Sequence, residues 1–160
     1  MRTKLYFDNI EQILYLAHSL ESNEICNSKD IEIKSQDIAE FKKYYLAAKY
    51  QRANTYSDYF NSNTGWVSRS DGITLSCHYN SSAMFINSDN PNARAANYSN
   101  AFRLLKDRHS SSPHWKNTAS MEAQFLCHAF TIANFKNPWN IEPWRTETNL
   151  NRVILAGCNP

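Results

Sequence analysis

His128, Glu142 and Arg145 stand close together near the end of the chain, and their types suit proton transfer beside an anion. An imidazole held rigidly near a carboxylate works as a general acid or base around neutral pH. Cys127 precedes His128, and a cysteine fixed in a disulfide would hold that imidazole's backbone in place. Glu142 is read as the group that orients His128 or shares its proton, and Arg145 as a two-pronged donor to a carboxylate or phosphate. The plainer alternative makes His128 a hydrogen-bonded core residue, with Glu142 and Arg145 as an ion pair bracing the loop around Trp139 and Trp144. His78 is a second candidate, near Arg69 and Asp71 in sequence. Paired with His128 it would suit ribonuclease-like acid–base chemistry, provided that the two meet in space. An exposed strand histidine without a role is its alternative.

Other chemistry finds less support. His109 and His114 flank a Ser-rich loop without a zinc spacing, and Asp107 with His109 offers at most an adventitious site. No HExxH, GxSxG, Walker, Rossmann or EF-hand pattern occurs, so no cofactor or metal is expected. Cys127 or Cys77 could serve as a nucleophile only if reduced. Trp66, Trp115, Trp139 and Trp144 are each a core or loop anchor, or else Trp66, Trp139 and Trp144 gather at a rim and stack on sugar rings or bases. A net charge of +2 without a dense Lys/Arg run does not itself point to nucleic acid.

These side chains need elements to position them. The chain length of 160 residues suits one compact unit with a helical region over 1–60 and an α+β part over 61–160. Asn9–Leu20 and Ser35–Asn54 carry helical periodicity, the second with Lys42, Lys43, Lys49 and Arg52 off its apolar face. Asp71-Gly72 between two β-prone runs predicts a hairpin. On its second strand Ile73, Leu75, Cys77 and Tyr79 suit a core, while Thr74, Ser76 and His78 face solvent or a cleft. Met84-Phe85-Ile86 is a candidate third strand. Asn90-Pro91 opens a helix with Tyr98, Ala101, Phe102 and Leu105 on its buried face. Thr118 or Ser120 caps a helix from Met121 to about Asn134, and Arg152–Ala156 reads as a final strand. The class is α+β, with N-terminal helices and a central helix packed on a small antiparallel sheet.

Four cysteines, Cys26, Cys77, Cys127 and Cys158, lack CxxC spacing and allow three pairings. A Cys127–Cys158 bridge, with Cys26–Cys77 following, would staple an otherwise unanchored C-terminus and contribute about 3–4 kcal/mol in the chain-entropy model. Four buried thiols in a reducing cytoplasm are the alternative. Arg2 and Lys4 suit the start of a signal peptide, but Asp8, Glu11 and Gln12 interrupt the apolar run behind them. No stretch approaches a membrane span.

The second half resembles domain of unknown function family 2599, a group of mostly secreted bacterial domains, over about residues 60–160. The resemblance rests on Gly65-Trp66, Arg69, Gly72 and Leu75, on Trp115-Lys116-Asn117-Thr118, and on Gln124-Phe125-x-Cys127-His128. It continues in Trp139-Asn140-x-Glu142-Pro143-x-Arg145 and Gly157-Cys158-Asn159-Pro160. Thr146 follows Arg145 where a proline is as common, which puts only the local turn in doubt. The resemblance implies an extracellular or periplasmic protein, supports the Cys127–Cys158 bridge, and implies no reaction. Two functions are therefore expected to compete. One is a secreted effector or antibacterial toxin, a metal-independent hydrolase or nuclease using His128, Glu142, Arg145, Arg69 and His78. The other is a non-enzymatic, disulfide-stabilised module. The candidate partners are a cell-wall glycan, nucleic acid or an immunity-type protein.

Overall fold

The computed structural model describes Lys43 and residues 54–160. The helices expected over 9–20 and 35–54 lie outside the described residues, except for Lys43, which is helical and exposed, and Asn54, which is not helical. The described chain runs through helix α1 (Tyr56–Tyr59), strands β1 (Gly65–Arg69) and β2 (Gly72–Cys77), and helices α2 (Ser81–Met84), α3 (Pro91–His109) and α4 (Thr118–Cys127). A π-helical turn (His128–Ile132), a 3-10 turn (Ala133–Phe135), strand β3 (Trp139–Ile141) and helix α5 (Leu150–Leu155) complete it. Helices and a three-stranded antiparallel sheet in the order β1-β2-β3 give the expected α+β class.

The hairpin forms where Asp71-Gly72 predicts it, with Arg69 opposite Gly72 and Trp66 opposite Leu75. Gly72 has φ +146°, a conformation that side chains with a Cβ rarely adopt, and a Cβ there would lie 2.7 Å from the Trp144 ring. The third strand is Trp139–Ile141, which pairs Leu75 with Ile141 and Cys77 with Trp139. The Met84–Ile86 expectation is therefore corrected: Ser81–Met84 is a short helix, and Met84 is buried. Both faces of β2 are covered, so Thr74 and Ser76 are buried rather than solvated, as are Leu75 and Cys77 on the other face. Asn137 extends the ladder with its side chain, donating to the Tyr79 carbonyl and accepting from the Tyr79 N–H.

Helix α3 starts as expected. Asn90 accepts from the Asn92 and Ala93 N–H groups, and Pro91 occupies the first turn. Its predicted face, Tyr98, Ala101, Phe102 and Leu105, is buried. Helix α4 begins at Thr118, so the cap is Asn117 rather than Thr118 or Ser120, and it sits in the left-handed region at φ 49°, which asparagine tolerates better than most residues. Thr118 instead accepts a hydrogen bond from Trp115 Nε1 at 2.8 Å. From Ser120 to Cys127 every residue of α4 is buried, so this helix is central to the core. Around its Phe125 pack Phe60, Phe102 and Trp139, the last edge-on. Tyr59 and Phe60 also lie in the core, so the packed unit already includes α1.

The tail is a helix, not a strand. Asn149 caps α5 by accepting from the Arg152 N–H at 3.1 Å, and Leu150 and Val153 turn inward three residues apart. Cys127 and Cys158 form a disulfide with Cα atoms 5.4 Å apart, which ties the end of α5 to α4. Cys77 is a buried free thiol, so the Cys26–Cys77 pairing is corrected. Its side chain points into the core beneath the Trp139 strand, and burial pushes its thiol pKa far up. Cys26 lies outside the described residues.

Candidate functional site

His128 begins the π-helical turn that continues α4, and its ring has no solvent exposure. Its Nδ1 lies 2.7 Å from the Gln124 carbonyl oxygen, which can only accept, so Nδ1 carries the proton. Nε2 is buried without a hydrogen-bond partner, and the ring lies against Trp139 with centroids 6.0 Å apart. Burial pushes the imidazole pKa down to about 4. The Gln124 carbonyl and, more weakly, Glu142 pull it back up, while Lys136 lowers it further. The ring is therefore neutral at pH 7 and sealed. The open catalytic cleft expected around His128 is not formed, because α4 is enclosed on all sides.

Glu142 and Arg145 do come together. Arg145 Nε donates to Glu142 Oε2 at 2.6 Å within a turn closed by the Arg145 N–H and Glu142 carbonyl. The segment carrying them is held by side-chain amides. Gln124 donates to the Glu142 carbonyl at 3.0 Å and accepts from the Glu142 N–H at 2.8 Å. Asn117 donates to the Pro143 carbonyl at 2.8 Å, and Asn159 donates to the Asn140 carbonyl at 3.0 Å. Arg69 joins from the hairpin: its Nη2 donates to Asn140 Oδ1 at 3.1 Å, which also accepts from Ser76 Oγ at 3.2 Å. Strand alternation puts Arg69, Thr74, Ser76, Asn140 and Glu142 on one sheet face. Arg69, Glu142 and Arg145 are thus the members of the expected catalytic set that share a region. His78 follows β2 at the end away from the hairpin turn, four residues from Thr74, roughly 13 Å along the strand.

The tryptophans divide in the same way. Trp139 is fully buried and is a core residue, so its expected role at a binding rim is corrected. Trp66 is half-buried and meets His109, His114 and Trp115 edge-on. Trp144 lies over Gly72 and lines a recess of about 200 Å³ with Ile73, His114, Lys116 and Pro143. A wider groove of about 730 Å³ runs past Asn54, Ser57, Asp58, Asn80 and Ser81, where the described residues begin. Among the described residues Tyr79 is the one aromatic that lines it, and its hydroxyl donates to the Ala133 and Lys136 carbonyls. Among the described residues no group of three His, Cys, Asp or Glu could hold a metal ion. Asp107 is paired with Arg103 at 2.8 Å, and His109 Nε2 with the Tyr56 hydroxyl at 2.8 Å.

Residues 61–160 match the family described as Protein of unknown function (DUF2599). The chain belongs to this family. The DUF2599 match coincides with the stretch on which the sequence resemblance rests. Several residues that carry that resemblance, among them Gly72, Asn117, Gln124, Asn140 and Asn159, turn out to hold the Asn140–Arg145 segment in place. A 47-residue stretch is 43% identical to an uncharacterized protein of Mycobacterium tuberculosis (strain ATCC 25618 / H37Rv), covering 27% of this chain and 31% of that one. An uncharacterized protein of Mycobacterium leprae (strain TN) matches at 43% over the same length, covering 27% and 37%. The match spans about a third of the length of these relatives. No solved structure matches the chain.

Only part of the recess beside Trp144 is legible in the sequence. Trp144 was legible as an aromatic candidate. His114 and Lys116 were not, because their meeting with Trp144 depends on the α3–α4 loop folding back over the hairpin tip.

Proposed function

We propose that this domain is a secreted, disulfide-stabilised, non-enzymatic module that binds a saccharide of a cell-wall polymer in the recess beside Trp144. The observation that carries this reading is an indole wall next to the polar side chains of His114 and Lys116, in a concavity seated on Pro143 and Ile73. A sugar ring offers an apolar C–H face and a polar edge, which an indole beside polar groups complements. The withdrawal of His128 into the core favours binding over turnover. The Cys127–Cys158 bridge favours an oxidising setting, extracellular or periplasmic. Sedimentation with purified bacterial cell walls tests the reading: the wild type is expected to co-sediment, and Trp144→Ala to lose most of that binding while keeping its circular dichroism spectrum. A wild-type protein that stays in the supernatant ends it.

A second reading is favoured by one observation, the Glu142–Arg145 pair two residues along the chain from Asn140, which Arg69 contacts. It is a hydrolase or nuclease effector or toxin, with Glu142 as the acid–base group and the arginines holding an anion. This reading expects Glu142→Gln to abolish toxicity or hydrolysis, and a toxic wild type that keeps its potency in Glu142→Gln rules it out.

A further inference from the structure

We infer that the ligand of the Trp144 recess is a saccharide bearing an anionic group, a carboxylate or a phosphate, held by Lys116 with His114 beside the indole; this rests on the saccharide-binding reading above. Lys116 is exposed at the recess and has no ion pair or hydrogen bond among the described residues. The backbone N–H of His114 is used by Ser112 Oγ, and its ring touches Trp66 edge-on at 5.6 Å. Among the described residues no acidic side chain lines the recess. Glu142, two residues before Trp144, is neutralised by Arg145 at 2.6 Å and so does not offset the lysine. The result is a small concave site of net positive character with an aromatic wall.

Size narrows the ligand further. Pockets for drug-sized ligands run about 300–1,000 Å³, and this recess is about 200 Å³. It suits one ring with its charged substituent, at a chain end or on a branch, better than a run of sugars. The charged group would face Lys116, the exposed ammonium at the recess. The ring would lie against Trp144, whose position is set from behind by Gly72.

Titration followed by the Trp144 indole N–H resonance tests this, with glucuronic acid, glucose and glucose 1-phosphate as probes at low ionic strength. At least one anionic sugar is expected to bind about tenfold or more tightly than glucose. The arm that wins identifies carboxylate or phosphate as the anion. Lys116→Gln should erase the preference, bringing the anionic sugars down to the level of glucose, and Lys116→Arg should retain it. Equal binding of glucose and both anions, or a Lys116→Gln variant that weakens all three alike, overturns the inference and leaves the saccharide reading standing. Binding of none of the three overturns both.

Discussion

His128 sits beside Trp139, and His114 sits beside Trp66 within reach of Trp144, so the domain holds two histidine–tryptophan neighbourhoods of similar composition. In the first the imidazole is fully buried, its Nδ1 is tied to the Gln124 carbonyl, and the indole lies in the core. In the second the imidazole borders a recess shared with a half-exposed indole and a lysine. Residue type is the same in both; enclosure decides what the pair can do. A sealed imidazole contributes to packing and to the pH response of stability, whereas one at a concave surface is available to a ligand.

The contrast breaks most visibly at the indoles. Trp139→Ala empties the centre of the aromatic core and is expected to cost about 3–5 kcal/mol, read as a fall in the urea midpoint. Trp144→Ala, at a half-exposed position, should cost roughly 1 kcal/mol; equal losses would erase the distinction between the two sites. Opening the Cys127–Cys158 bridge, by reductant or by Cys158→Ser, should remove about 3–4 kcal/mol on the chain-entropy account. Denaturation with and without reductant measures this, and it bears on the core side because Cys127 directly precedes His128. The pH response sharpens the comparison further. The folded-state pKa of His128 is about 4 against an ordinary 6.5, so folding excludes a proton that the unfolded chain binds. The associated stability is complete above pH 6.5 and is lost as pH falls from 6.5 towards 4, by roughly 3 kcal/mol in all. His128→Leu should flatten that slope.

Parts of this architecture were legible in the residues alone. Asp71-Gly72, Asn90-Pro91 and the spacing of Tyr98, Ala101, Phe102 and Leu105 act through local turn chemistry, capping and periodicity, and each is formed as expected. The short apolar runs were not readable: Met84–Ile86 and Arg152–Ala156 are too brief for periodicity to separate strand from helix. Tertiary packing decided both. The Glu142–Arg145 pair was legible because it closes within one turn. For His128 the sequence leaves both a core and a catalytic place open, since the choice depends on how many elements enclose α4; the core alternative is the one formed. The polar residues at Thr74 and Ser76 misled for the same reason: alternation predicts opposite faces but not whether both are covered.

The amides of Gln124 and Asn159 have a further consequence for how this protein meets other chains. Strand β3 ends the sheet, and a terminal strand offers unpaired backbone groups to which another chain can add. Here the Asn140 carbonyl and both backbone groups of Glu142 are already taken by side chains from α4 and the C-terminal tail. Helix and tail thus act as a substitute neighbouring strand, closing this border of the sheet to strand exchange and to growth by self-association.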